Sequence, residues 1–281
     1  MGRTFETVFK SLSNGIHKIK QFASYLKCKM QNTIHKYKHM KETPTIIIFN
    51  VDYTLGCFDD IYFLYYWITN HLDPNIQSIL NDDISRLLKH YFSPNIFDIF
   101  RYLAECKENR KIKSVVLYSN NIYGRFWVNE IATYINKVLC FPLIGDIISS
   151  FTVINPLHHE SDFRRKKHVK SYHDVSNILK LRTKHKIINI DCMYYSEMDV
   201  DNVYTIRLKP YYIYKSLSVI IENLLYKIAY YNKDDLFQKL FNNMHIDYQV
   251  YKKHVNNEKD SITKHDIIEF KYLSDTLSVF I

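Results

Sequence analysis

Three short apolar runs, each breaking off into polar residues, constrain this chain more than any other feature. Thr45-Ile46-Ile47-Ile48-Phe49 runs into Asn50 and Asp52. Ser114-Val115-Val116-Leu117-Tyr118 runs into Ser119-Asn120-Asn121, and Lys186-Ile187-Ile188-Asn189-Ile190 runs into Asp191. Runs of this length, rich in β-branched residues, read as strands buried on both faces. Such strands need cover on each side, and the segments between them carry apolar residues at the three- and four-residue spacing of helices. The pattern predicts a parallel α/β sheet flanked by helices. In such sheets the active crevice lies beyond the carboxyl ends of the strands, so Asn50 and Asp52, Ser119 and Asp191 are expected to meet in one place.

Further elements complete the expectation. Residues 58–112 read as mainly helical, over 61–71, 76–90 and 95–107, with Ser93-Pro94 starting the last of these. A helix is expected over 125–138, a strand and loop within 139–157, a helix over 171–182 and a fourth strand over 203–208. Residues 212–230 read as an amphipathic helix, and the tail to 281 as helical with polar loops. Before the sheet, residues 1–43 form a basic leader in which Phe5, Val8, Phe9, Leu12, Ile16, Ile19, Phe22, Ala23 and Leu26 recur at helical spacing among lysines. It reads as an amphipathic helix, either packed on the main domain or docking a partner or an anionic surface. Pro44 marks the boundary. The organisation is therefore a leader over 1–43, an α/β domain over 44–215 with a helical, cap-like region at 58–112, and a helical extension over 216–281.

Charge narrows the partners. Lys and Arg number 38 against 29 Asp and Glu, a formal net charge of +9, which favours polyanions or acidic partners such as nucleic acid or phosphorylated protein. The exposed-looking run Arg164, Arg165, Lys166, Lys167, His168 and Lys170 is the densest basic stretch outside the leader. The five cysteines, Cys28, Cys57, Cys106, Cys140 and Cys192, are scattered with no CxxC pair. That pattern argues against a disulfide framework or a zinc site and for a reducing intracellular compartment. No apolar run reaches the roughly 18 residues of a bilayer span.

Ile46-Ile47-Ile48-Phe49-Asn50-Val51-Asp52-Tyr53-Thr54-Leu55 resembles the first motif of the haloacid-dehalogenase (HAD) superfamily, an apolar strand followed by DxDxT. Val115-Val116-Leu117-Tyr118-Ser119-Asn120 is similar to its second motif and Ile187-Ile188-Asn189-Ile190-Asp191 to its last, in family order. Within the superfamily the chain resembles the FCP/SCP-type phosphatases of the polymerase C-terminal domain. Phe92-Ser93-Pro94-Asn95-Ile96-Phe97-Asp98-Ile99-Phe100 is similar to a segment before their second motif, and Val169-Lys170-Ser171-Tyr172-His173-Asp174-Val175 to one before their last. The resemblance implies a Rossmann-like HAD fold and a magnesium-dependent phosphatase acting on phosphoserine or phosphothreonine. It implies that a carboxylate attacks phosphorus. A second carboxylate two residues on then protonates the leaving oxygen and activates water. A hydroxyl and an ammonium hold the phosphoryl oxygens.

Carried over by position, Asn50 fills the nucleophile's place and Asp52 the acid/base place. Thr54, Ser119 and Lys170 stand in the phosphate-binding and loop-bracing places, with Lys166 and Lys167 as alternatives to Lys170. Asp52 and Asp191 would hold the metal. Two departures bear on the chemistry. Asn50 is a neutral amide, a poor nucleophile that also removes charge from the Mg²⁺ site. Cys192 stands where a second Asp or Asn is common, and a thiol suits a hard cation poorly. Glu197, Asp199 and Asp201 are nearby carboxylates that would otherwise serve.

The basic leader, the helical tail and the Tyr-Ser-Asn-Asn form of the second motif also resemble the phosphatase-like nucleocapsid proteins of baculoviruses and nudiviruses. That resemblance implies a role in nucleocapsid assembly, in the host nucleus or the virion, with a basic DNA-packaging protein or capsid proteins as partners. Three functions stay open at this point: a protein phosphatase impaired by Asn50, a non-catalytic phosphate-binding scaffold, and a basic protein associated with nucleic acid through the 164–170 run and the leader.

Overall fold

The computed structural model describes residues 45–71, 87–121, 124–150, 162, 164–182, 185–212, 242, 247 and 269–281. The leader over 1–43, most of the helix expected over 76–90, all but the first residue of the helix expected over 212–230 and most of the C-terminal extension lie outside the described residues. The sheet belongs to the unit Pro44–Val279.

Five strands form one sheet: β1 (Thr45–Phe49), β2 (Ile112–Tyr118), β3 (Ile144–Ile148), β4 (Ile187–Asp191) and β5 (Val203–Arg207). Their order across the sheet is β3-β2-β1-β4-β5 and every pairing is parallel. Between them run α1 (Asp59–His71), α2 (Ile96–Glu108), α3 (Gly124–Leu139) and the short α4 (Tyr172–Ile178). A 3₁₀ turn at Phe270–Tyr272 leads into α5 (Leu273–Phe280). This is the doubly wound, Rossmann-like α/β architecture that the apolar runs require. No helix among the described residues is long and apolar enough to cross a membrane.

The sequence of β1 explains its central place. All five of its residues are buried, because alternate side chains face opposite layers and both are apolar. Ile46 and Ile48 join Val116, Tyr118, Ile148, Val175, Ile187, Met198 and Val203 in one core cluster. Phe49 faces the other layer and meets Phe100 of α2 edge-on at 5.6 Å. There Phe92, Phe97 and Tyr134 extend an aromatic cluster that joins α2 to α3.

Two expectations were refined at helix ends. α2 does not take Ser93 as its cap: Asn95, in the left-handed region at φ 62°, occupies that position. The Ser93 hydroxyl donates instead to the Thr54 carbonyl (3.0 Å). α4 is shorter than the expected 171–182. Ser171 caps it by accepting the Asp174 amide, and the helix stops before Lys180, whose φ is 50°.

Register brings the polar strand ends level. Phe49 pairs with Leu117 on one side and Ile190 on the other. One residue further, Asn50 stands beside Tyr118 and Asp191, and its amide donates to the Ile190 carbonyl (2.8 Å). The order of strands reverses at β1, with β2 on one side and β4 on the other. In this type of sheet such a switch point opens a crevice.

Candidate active site

After β1 the chain turns tightly. The Leu55 amide donates to the Val51 carbonyl and the Tyr53 amide to the Gly56 carbonyl. Tyr53 takes a left-handed φ of 59°, unusual for a bulky residue. Gly56 fits where nothing larger does, since a Cβ there would stand 2.3 Å from the Tyr91 carbonyl oxygen. The turn keeps Asp52 half-buried at the strand end and buries Thr54 beneath it.

Asn50 lies at the centre. Its amide nitrogen donates to the Asp52 carbonyl (2.8 Å) and to the Thr54 hydroxyl (3.0 Å), with the Cys192 sulfur at 3.7 Å. Its side-chain oxygen accepts from the Lys170 ammonium at 2.7 Å. The same ammonium donates to Asp191 Oδ2, also at 2.7 Å. Lys170 and Asp191 are both 0% exposed. The rings of Tyr118 and Tyr195 lie 5.3 Å from the Lys170 nitrogen, adding cation–π attraction to a charge removed from water.

Asp52 is held from the β2 side. Ser119 donates to its Oδ2 (3.1 Å) and the Asn121 side chain to its Oδ1 (2.8 Å). The Asn121 backbone amide in turn donates to the Ser119 hydroxyl. Burial pushes the Asp52 carboxyl above its ordinary range, opposed by the Asn121 and Ser119 hydrogen bonds and by the Lys170 charge. Thr54 accepts the Cys192 amide (3.0 Å) as well as the Asn50 amide, so it ties the β1 turn to the end of β4. Burial, with the Asp191 charge, pushes the Cys192 thiol up to about 11.

The six positions read as a site in the sequence, Asn50, Asp52, Thr54, Ser119, Lys170 and Asp191, thus share one hydrogen-bonded network. Thr54 braces the turn. Of the three lysines considered, Lys170 reaches the network. Lys166 and Lys167 are exposed, and Lys167 pairs with Glu197 at 2.9 Å. Asp199 accepts from the exposed Tyr194. The carboxylates of that loop are engaged with neighbours of their own.

Two contributors were not singled out from the sequence. Asn121 lay in the polar strand end, a signal that marks a site without marking a role. Arg165 sat in a basic run that reads as a solvated face, yet it is 1% exposed. Its guanidinium donates to Asp174, Asn120 Oδ1, and the carbonyls of Ser149 and His168, and stacks on Tyr118 at 4.9 Å. Tyr118 also accepts the Ser171 amide and donates to Asp174. Arg165 and Tyr118 therefore fix the loop that delivers Lys170.

No protein-family model matches the chain, and no curated protein matches it. Among solved structures, the protein YfnB of Bacillus subtilis, assigned to the HAD hydrolases and solved bound to magnesium, aligns over 65% of this chain and 99% of its own. The identity is 13% and the TM-score 0.34. A likeness that loose locates no residue of this site.

Magnesium, which the motif resemblance implies, demands about six oxygens in a near-octahedral shell. The donor set here does not fit it. The Lys170 cation already bridges Asn50 Oδ1 and Asp191 Oδ2, and the other Asp191 oxygen accepts the Met193 amide. The Asn50 amide hydrogens point at the Asp52 carbonyl and Thr54. Cys192 offers sulfur to a cation that prefers oxygen.

Proposed function

We propose that this chain carries a HAD-type phosphatase site that recognises a phosphomonoester on protein but has lost the covalent route to hydrolysis. What carries the reading is the joining of Asn50, Asp52, Ser119, Lys170 and Asp191 into one network at the aligned ends of β1, β2 and β4. The motifs stand in family order, and a parallel sheet with its switch point at β1 is the scaffold such chemistry uses.

Each residue has a defined task in this reading. The buried Ser119 hydroxyl and the half-buried Asn121 amide are neutral donors, suited to phosphoryl oxygens. Lys170 supplies the positive charge beneath them. Asp52, whose carboxyl favours its proton more than an exposed one does, is placed to donate to an ester oxygen. Asn50 cannot attack phosphorus, because its amide nitrogen has no available lone pair and its oxygen is far less nucleophilic than a carboxylate. Removal of a nucleophile that acts as a unit with its partners abolishes nearly the whole rate advantage.

The stretch of chain that leads into Lys170 is basic. Lys166, Lys167 and His168 are exposed in the stretch leading into Lys170. An acidic, phosphorylated segment of a partner protein suits that stretch. The chain then works as a phosphate-dependent binding module.

The test is a phosphomonoester turnover assay combined with calorimetric titration of inorganic phosphate into the intact chain. Binding without turnover is the expected result. Sustained turnover by the unaltered chain would overturn the loss of catalysis, and failure to bind phosphate under any condition would overturn the recognition.

A further inference from the structure

The oxygens that would have to converge on a divalent ion are held together in this structure by groups of the protein itself. Two bridges do this. The Lys170 ammonium spans Asn50 Oδ1 and Asp191 Oδ2, at 2.7 Å from each. The Asn50 amide nitrogen spans the space to the Asp52 carbonyl (2.8 Å) and to the Thr54 hydroxyl (3.0 Å). We propose that the site is metal-independent: Lys170 and the Asn50 amide replace the bridging role of a divalent cation, and a phosphoryl group binds here without one. This rests on the phosphate-recognition reading above and deepens it.

The separations make the substitution specific. Adjacent ligands of an octahedral magnesium ion at about 2.0–2.1 Å lie roughly 2.9 Å apart. The distances from the Asn50 nitrogen to its two oxygen partners fall at that spacing. With an amide at position 50 a hydrogen fills each gap, and the contact is attractive. With a carboxylate, Asn50→Asp, an oxygen would face the Asp52 carbonyl oxygen at the same distance. That contact is repulsive unless a cation comes between them. The atom at that position therefore decides whether these two contacts close on themselves or call for a cation between them.

Charge points the same way. An ion entering beside Asp191 meets the Lys170 ammonium, which is buried and held by two acceptors. Two cations in one dry pocket repel strongly, since little water screens them. Asp191 is the carboxylate that offsets Lys170, so it is not free to offset a second positive charge.

The experiment uses the full chain and its Asn50→Asp variant. Magnesium is titrated into each with melting temperature and calorimetry as readouts, and inorganic phosphate is then titrated in excess magnesium and in excess EDTA. The unaltered chain should take up no magnesium, and its phosphate affinity should agree in the two buffers. Asn50→Asp should bind magnesium and be stabilised by it. Magnesium uptake by the unaltered chain, or a loss of phosphate affinity of about tenfold or more in EDTA, would overturn the proposal. An Asn50→Asp chain that folds but takes up no magnesium would overturn the part assigned to the amide. Absence of phosphate binding in both buffers would sink the recognition reading, and the magnesium titrations would still decide this one.

Discussion

The Lys170 ammonium and the Asp191 carboxylate meet at 2.7 Å with neither side chain reaching solvent. A pair this deep is not a large net source of stability, because both charges lost their water to form it. It is instead expensive to break. Lys170→Met leaves Asp191 buried and uncompensated and should cost about 3–5 kcal/mol. The double variant Lys170→Met with Asp191→Asn removes both charges and should recover much of that loss. Urea denaturation of the unaltered chain, Lys170→Met, Asp191→Asn and the double variant gives the coupling directly, and additive losses would count against the pair as a unit.

Arg165 makes a second test, of a residue whose surroundings contradict its sequence context. Arg165→Met strands the Asp174 carboxylate and orphans several carbonyls, with an expected cost of about 3–5 kcal/mol. Arg165→Lys should recover only part, since one ammonium cannot reproduce a planar fork of donors. Lys166→Ala, in the same basic run but exposed, should change stability by about 0.5 kcal/mol or less. Equal effects at 165 and 166 would refute the buried role.

Asp52 occupies the donors that an oxyanion needs. Ser119 and Asn121 both point at its carboxylate, so a phosphate must share or displace it. Asp52→Asn keeps the shape and removes the like charge. Its phosphate affinity should rise by about tenfold, equivalent to about 1.4 kcal/mol, as measured by calorimetry. A weaker-binding variant would show that Asp52 contributes to binding as a proton donor more than it opposes it by charge.

Alkaline stability carries the signature of the buried thiol. Cys192 has an ordinary value of 9.0, pushed up by burial and the Asp191 charge to about 11 in the folded chain. Between these values the unfolded chain has lost the proton while the folded chain keeps it. Stability therefore falls as pH rises through that window, by about 2–3 kcal/mol once complete. Tyr53, Tyr91, Tyr118 and Tyr195, also pushed up by burial, add to the loss at higher pH. Cys192→Ala should flatten the first part of the curve in a series of thermal melts.

Gly56→Ala tests the turn after β1. The new methyl group would press on the Tyr91 carbonyl, which is backbone and cannot rotate aside. A loss of about 1–3 kcal/mol is expected, together with weaker phosphate binding, because the same turn positions Asp52.

The sequence by itself determined the sheet and the address of the site. Continuous apolar runs cannot be stable with a wet face, so 45–49, 114–118 and 186–190 had to become buried parallel strands, and their polar ends had to share one edge. The order of Asn50, Asp52, Ser119 and Asp191 along the chain was enough to place them together. Only the tertiary structure decided which charges belong to that site. Arg164 to Lys170 read as one solvated basic run, since local pattern carries no record of burial across the sheet. Folding turned Lys166 and Lys167 outward, drove Arg165 under the loop against Tyr118 and Asp174, and set Lys170 between Asn50 and Asp191. Asn50 followed the same division. Its identity alone puts a neutral amide at the end of β1. Its role as a bridge, accepting a hydrogen bond from Lys170 on one side and donating to the Asp52 carbonyl and Thr54 on the other, exists only once residues 120 positions apart in the chain are brought within hydrogen-bond distance.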